Sequence, residues 1–300
     1  MSYELNKKIR ELEPYEPISG TYKIRLDANE CPENYPDFIK EEIKNAIDTI
    51  DFNRYPDPLA EKVVTAFAEY YGINPKYVTA GNGSDELIFL IEAAFMEKGD
   101  RMLCVAPDFS MYKFYSSICE VECDTFIKSD DLSINTDALI EKVNRDNIKL
   151  LLFSNPCNPT GQGITATALN LGFAVANETI SRAVKAVKSP YNVNTFSQVV
   201  GSIIYKNKDY LKNRQKTIVR NREKLYNDLL ELSALSDDFK VYNSCANFVF
   251  VKTSFGKDLW NYLKDNSIVI RFMGDYIRIS VGTEEENEEL ISCIKTYLSR

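Results

Sequence analysis

The stretch Lys149–Asn177 reads K-L-L-L-F-S-N-P-C-N-P-T-G-Q-G-I-T-A-T-A-L-N-L-G-F-A-V-A-N. Leu150–Phe153 is a short, wholly apolar run, the pattern of a strand buried on both faces of a parallel sheet. It runs into Ser154–Gly161, where Pro156 and Pro159 fix φ and push the residue before each into extended geometry. The result is a stiff loop at the carboxyl end of a strand, with Asn158 held at a set angle. Ligands of open α/β sheets bind at that end. Leu171–Val175 is a second apolar run and also reads as a buried strand. No charged residue lies between Leu150 and Asn177. The loop therefore offers a polar ligand site, and the residues after it supply no acid, base or charged nucleophile.

Outward from this stretch, the chain alternates strands and helices. Strands are expected at Tyr22–Leu26, Tyr77–Thr79, Arg101–Val105 and Val121–Phe126. Helices are expected at Ser2–Glu13, Asp37–Thr49, Leu59–Tyr71, Glu86–Met96, Tyr112–Ile118 and Thr136–Val143. Gly72 reads as a helix C-cap. Gly81–Glu86 is a glycine-bearing turn feeding a helix, so its backbone N–H groups suit an anion such as phosphate. Alternation of this kind implies a mostly parallel, doubly wound α/β sheet.

Beyond Asn177 the spacing predicts a helix over Glu178–Val187, a break at Ser189-Pro190, and one long helix from Thr195 to Leu232 with a solvated basic face that includes Arg214. The tail differs in kind. Strands at Lys240–Tyr242, Asn247–Val251, Ile268–Ile270 and Tyr276–Ser280, with helices at Gly256–Asn266 and Glu284–Leu298, read as a small α+β domain. Thr283 and Glu286 form a capping box for the last helix. The expected division is an N-terminal arm (1–30), a large ligand-binding domain (31–205, shortened near 161–170) and a small domain (206–300).

Composition narrows the function. Three hundred residues suit two domains. A net charge of −8 with no basic patch argues against nucleic acid as a partner. No 18-residue apolar stretch is present, so no membrane partner and a cytoplasmic location are expected. The cysteines number seven, with no C-x-x-C pair. Reduced, buried thiols are expected rather than a disulfide framework or metal site. The absence of histidine removes Ser-His and Cys-His catalysis and most catalytic zinc sites.

Nine pieces occur in one order along the chain: Pro14-Tyr15, Leu26–Glu30, Arg54-Tyr55-Pro56, Gly81–Glu86, Pro107–Tyr112, Asn155–Gly161, Leu171–Asn177, Ser244–Phe248 and Arg278–Thr283. As an ordered set they resemble histidinol-phosphate aminotransferases, pyridoxal-phosphate enzymes of the aspartate-aminotransferase fold. The resemblance implies pyridoxal 5′-phosphate as cofactor. It implies amino transfer between L-glutamate/2-oxoglutarate and an amino or keto phosphate ester, imidazole-acetol phosphate, in histidine biosynthesis. Within the same lineage a threonine-phosphate decarboxylase-like enzyme is the alternative. A non-catalytic remnant that binds phosphate-bearing ligands is the rival class.

The resemblance also assigns roles. Gly83, Ser84 and Asp85 would hold the cofactor phosphate, Phe109 would stack on the ring, and Asn158 would donate to its O3′. Tyr55 would reach the cofactor phosphate of a partner subunit, which implies a homodimer. Arg278 would hold substrate carboxylate or phosphate, aided by Arg271 and Tyr15.

One part is missing. In relatives the cofactor's lysine and the aspartate facing its ring nitrogen lie between Asn-Pro-Thr-Gly and the Leu-Gly-Phe strand. Here Thr160–Leu171 is one short connection, Asn170 stands in the place of a phosphate-binding arginine, and no lysine lies between Lys149 and Lys185. No catalytic residue is therefore assigned, and covalent cofactor attachment is not expected. Natural degeneration, a damaged or mis-assembled gene, and a segment omitted from this sequence all remain open. If two strands are absent, two edges are left unpaired, and the expected repair is a ladder between Lys149–Phe153 and Leu171–Val175, with Leu150, Leu152, Phe173 and Val175 in one core. An empty slot of a strand's width or more between the two runs would instead mean that a segment is omitted from this sequence.

Overall fold

In the computed structural model, which describes residues 6, 10, 17–163 and 173–300, the strand–helix alternation is found with small shifts of boundary. Strand β1 (Ile24–Leu26) precedes helices α1 (Asp37–Ile47) and α2 (Glu61–Tyr71). Gly72 closes α2 in the left-handed conformation, φ 68°, as its position in the sequence indicates. Next come β2 (Val78–Ala80), α3 (Gly83–Phe95), β3 (Arg101–Ala106), α4 (Met111–Cys119), β4 (Glu122–Ile127), α5 (Thr136–Arg145), β5 (Leu150–Leu152) and β6 (Phe173–Val175). Asn135, Asn177 and Asn194 cap α5, α6 (Glu178–Val187) and α7 (Thr195–Lys206), each side chain accepting a backbone N–H of the first turn. The chain ends with α8 (Lys208–Leu232), β7 (Lys240–Tyr242), β8 (Phe248–Lys252), α9 (Gly256–Asp265), β9 (Ile268–Met273), β10 (Tyr276–Ser280) and α10 (Glu284–Leu298). Thr283 and Glu286 form the expected capping box on α10.

The long helix expected over 195–232 is two helices, broken at Asn207, whose φ/ψ of −81°/58° is not helical. The break has a packing reason. Tyr205, near the end of α7, packs with Val63, Phe67 and Val78, whereas Leu225, Leu229 and Leu232 of α8 belong to the core of the C-terminal sheet. Helix α8's basic face is not uniformly solvated. The Arg214 guanidinium reaches Glu33 and sits 3.0 Å from Cys31 Sγ, so it ties α8 to the 31–33 loop. The N-terminal helix expected over Ser2–Glu13 lies almost entirely outside the described residues.

Among the described residues the strands form three sheets. The C-terminal sheet has the order β1-β9-β10-β8-β7, so a strand from the start of the chain pairs in parallel with β9. Its core is formed by Val249, Val251, Ile268, Ile270, Ile277 and Ile279 against Leu259, Leu263, Leu290 and Ile294 of the helices. The other strands form two pieces, β4-β3-β5, all parallel, and β2-β6, antiparallel.

Among the described residues the ladder expected between 149–153 and 171–175 does not form; Leu171 lies outside them. Leu150–Leu152 pairs with Met102–Cys104 of β3, and Phe173–Val175 pairs with Val78–Ala80 of β2. Leu150 and Leu152 pack with Met102, Cys104 and Tyr112; Val175 packs with the α2 cluster. Leu150 and Leu152 therefore share no core with Val175, and the Phe173 side chain lies outside what is described. Each strand keeps the neighbour that the β–α order already gives it, and each is left as the edge of its piece. The three leucines of β5 are consequently only half-buried, not buried on both faces. Helix α3 spans the division. Leu87 and Leu90 pack with Val184 and Ala174, while Ile88 packs with Cys104 and Tyr112.

Candidate active site

The loop after β5 is built by short-range polar groups. Asp108, at the carboxyl end of β3, accepts from Phe109 N at 2.7 Å and from Ser154 N at 3.1 Å, and it also receives the Ser154 hydroxyl. Asn158 N then donates to Ser154 Oγ at 3.1 Å. Burial pushes the Asp108 carboxyl up, against the pull of the Ser154 and Phe109 hydrogen bonds and the Lys128 charge. Gly161 turns the loop back with φ 73°, and a Cβ there would run into the Ser244 side chain, so only glycine fits. The Gly161 carbonyl accepts from Cys245 N at 2.8 Å, and Gln162 Nε2 donates to Asn243 O at 2.6 Å. These bonds fasten the loop to the start of the C-terminal sheet.

Across that junction lies Arg278 of β10. It is buried; its Nη1 donates to Asn158 Oδ1 at 2.7 Å and its Nη2 to Asp27 O at 2.7 Å. The guanidinium also lies 5.4 Å from the centre of the Phe248 ring. Arg271 of β9 is the direct cross-strand partner of Arg278. Opposed residues of an antiparallel pair project from the same face, so two cations share one patch, an arrangement that an anion relieves. Asn158, Arg278 and Arg271 are thus brought together from three segments.

A second group forms at the start of α3. Gly83 has φ 88° with open space around it, and Asn82 makes no side-chain cap. The first-turn N–H groups of Gly83, Ser84 and Asp85 face outward, since a helix start leaves them without intrahelical partners. Glu86 Oε2 accepts from Asn82 N and from Asn192 Nδ2, both at 2.6 Å. Asn192 Oδ1 accepts from Lys188 Nζ at 2.6 Å, and Lys188 also donates to Pro58 O at 2.9 Å. Burial pulls the Lys188 ammonium down, with Glu86 and Asp57 opposing. This relay holds the 52–58 loop beside the helix start. Tyr55 of that loop is 81% exposed and stacks on Tyr191 at 4.6 Å between ring centroids.

Phe109 is half-buried and meets Tyr112 edge-on at 5.7 Å. Tyr15 and Asn170 lie outside the described residues. No hydrogen bond joins the α3 group to the Asn158–Arg278 group among the described residues. Asp108, Lys128 and Lys188 were missed at the sequence level; a charged residue in a loop gives no periodic signal, and only the Pro-Asp and Lys-Ser-Pro contexts hinted at fixed positions. Of the cysteines expected to be buried, Cys104 and Cys157 are, whereas Cys31 and Cys245 are exposed. No helix among the described residues is long and apolar enough to cross a membrane.

Several known proteins resemble this chain along its length. A histidinol-phosphate aminotransferase of Clostridium novyi (strain NT) is 33% identical over 344 aligned positions, covering 96% of each chain. One of Clostridium kluyveri is 32% identical, covering 97% of this chain and 98% of its own. Among solved structures, histidinol-phosphate aminotransferase from Sinorhizobium meliloti in complex with pyridoxal-5′-phosphate superposes with a TM-score of 0.84 at 18% identity, covering 98% and 97%. L-threonine-O-3-phosphate decarboxylase from Porphyromonas gingivalis gives 0.74 at 18%, covering 92% and 100%. These two establish likeness of fold.

The alignments also locate the interruption. In the C. novyi comparison 96% of 300 residues is about 288, against 344 positions, so about 56 positions face no residue here. The model of "Aminotransferase class I and II" matches in two pieces, residues 21–170 and 163–294, whose ends overlap. Pieces that overlap in this chain meet where the family has an intervening segment, between β5 and β6. With both pieces matched and relatives a third identical from end to end, the chain belongs to the aminotransferase class I and II family, in its histidinol-phosphate aminotransferase group.

Proposed function

We propose that this chain is a histidinol-phosphate aminotransferase by descent, which retains non-covalent, phosphate-led binding of pyridoxal 5′-phosphate and does not transaminate in its present form. The observation that carries the lineage is the near-full-length match to relatives of that name. The residues present fit the cofactor in part. The open α3 start at Gly83–Asp85 offers backbone donors for its phosphate. Asn158, whose Oδ1 accepts from Arg278, would keep its Nδ2 as the donor for the ring's O3′. Phe109 offers a ring face. When bound, the cofactor supplies an aldehyde and an electron-accepting ring.

In this reading the described residues bind and orient, and none of them is assigned a proton transfer at the substrate carbon. Arg278 and Arg271 bind the anionic end of an amino or keto phosphate ester, or the carboxylate of glutamate or 2-oxoglutarate. Tyr55, exposed on its loop, serves the phosphate site of a second copy, and the working form is a cytoplasmic homodimer of arms 1–30, large domains 31–205 and small domains 206–300. Amino transfer also needs a lysine at the cofactor and an acid at its ring nitrogen. Neither is supplied between Asn155 and Asn177. Threonine-phosphate decarboxylation is the second reading, motivated by the fold likeness and by the same phosphate-ester chemistry.

Calorimetry with pyridoxal 5′-phosphate tests the binding claim. Backbone donors and one stacked ring contribute roughly 1 kcal/mol each, so weak binding is expected. Sub-micromolar binding that survives Asn158→Ala and Phe109→Ala would overturn it. Grafting the C. novyi relative's intervening segment between Gly163 and Phe173 tests the lineage. Restored transfer from L-glutamate to imidazole-acetol phosphate is expected; decarboxylation of threonine phosphate instead would favour the second reading.

A further inference from the structure

Lys128, the first residue after β4, donates its backbone N–H to Ala106 O at 2.9 Å, and its side chain turns back beneath two loops. The residue is only 6% exposed. Nζ lies 3.0 Å from Pro107 O, 3.4 Å from Thr160 Oγ1 and 2.8 Å from Cys157 Sγ. Cys157 is 1% exposed, and its thiol also faces Pro107 O at 3.4 Å. Among the described residues Lys128 makes no ion pair, so thiol, hydroxyl and carbonyl are its bonded neighbours. A lysine almost always stands in water or against a carboxylate. Here an amine and a thiol are held in contact inside the loop that carries Asn158.

We propose that Lys128 and Cys157 are an oxidisable pair that closes to a covalent Sγ–Nζ bond when the chain meets hydrogen peroxide. Peroxide converts the thiol to a sulfenic acid and leaves as one water. The Lys128 amine then attacks sulfur, the S–OH bond breaks, and hydroxide departs with an amine proton as a second water. The sum is thiol, amine and one peroxide giving a sulfenamide and two waters; sulfur loses two electrons and peroxide gains them. Sulfenic acids are captured by nitrogen when one is already in contact, and the 2.8 Å approach supplies that contact without backbone travel. The bond ties the residue after β4 to the loop after β5 and fixes the segment from which Asn158 reaches Arg278. A thiol reductant reopens it. The inference is independent of the proposed enzymatic lineage.

The test is peroxide treatment of the full chain, followed by tryptic digestion without reductant and mass spectrometry. A peptide uncut at Lys128 and joined to the Cys157 peptide, two hydrogens lighter than the sum, is expected. Dithiothreitol should separate the two, and Lys128→Arg and Cys157→Ser should both lack the product. A disulfide between Cys104 and Cys123, whose sulfurs are 3.5 Å apart, has the same mass deficit. The link must therefore persist in Cys104→Ser. Circular dichroism of each variant confirms that it is folded, and mapping of the wild-type chain decides the question in any case. Cys157 recovered as a free thiol or as sulfinic acid, with trypsin cutting normally at Lys128, would overturn the proposal. So would a link from Cys157 to any other residue.

Discussion

The two ends of the molecule solve the same packing problem differently. In the C-terminal sheet β8, β9 and β10 each have partners on both sides, and helices α8, α9 and α10 bury Leu229, Leu259, Leu263 and Ile294 completely. The N-terminal strands follow the same β–α logic, yet β5 and β6 end as edges of two separate pieces. The contrast teaches that β5 and β6, joined here by a short connection, do not pair with each other: β5 keeps β3 and β6 keeps β2. Register and direction are fixed by the neighbours that remain, and α3 carries the connection instead.

The contrast should appear first in stability. Phe250, fully buried in the C-terminal sheet, stacks on Tyr276 at 4.8 Å. Phe250→Ala should cost about 3–5 kcal/mol in urea unfolding. Leu151→Ala, at the half-buried edge strand, should cost about 1–2 kcal/mol, since less apolar surface is at stake. Equal losses would remove the distinction between the two regions.

Glu92 sharpens the comparison. It is fully buried on α3, and neither carboxylate oxygen has a hydrogen-bond partner. Burial, with the Cys104 thiol nearby, pushes its carboxyl from 4.5 up to about 7. The folded state therefore holds this proton over a window in which the unfolded chain has released it. Below pH 4.5 the group carries no penalty; stability falls as pH rises through 4.5 to about 7. Above that the full penalty stands, about 3 kcal/mol. Glu92→Leu should stabilise the chain by up to about 3 kcal/mol at pH 8 and by little at pH 5. Unfolding curves at the two pH values, with no difference in the variant's gain, would show that Glu92 is solvated or paired.

Much of this architecture was legible in the sequence because it is local. Gly72, the Thr283–Glu286 box and the apolar runs of β3, β8 and β10 each signal through neighbours within a few residues. The pairing of β5 was not legible, since an apolar run of three leucines accepts any edge, and the choice depends on β3 in space. The break at Asn207 was hidden because both sides are helix-forming and only the cores they face differ. Of the candidate site, the stiff loop that carries Asn158 and the glycine turn opening α3 were readable from proline and glycine spacing. Lys128, Asp108 and Lys188 were not, because burial of a charge depends on loops far away in the chain.

At the junction of the two regions the effects should be smaller. Asn158→Ala removes the 2.7 Å bond from Arg278 and the donor proposed for the cofactor ring. Pyridoxal 5′-phosphate affinity should fall roughly tenfold, about 1.4 kcal/mol, with α-helical content unchanged. Calorimetry that finds no change would remove Asn158 from the site.

The most direct test is covalent capture. The purified chain is incubated with pyridoxal 5′-phosphate, reduced with borohydride, and mapped for pyridoxyl-lysine, with amino transfer from L-glutamate measured in parallel. No single lysine should be labelled above the level of surface lysines, and no glutamate-dependent turnover should appear. Stoichiometric labelling of one lysine together with turnover would contradict the claim that the cradle remains and its chemistry is gone.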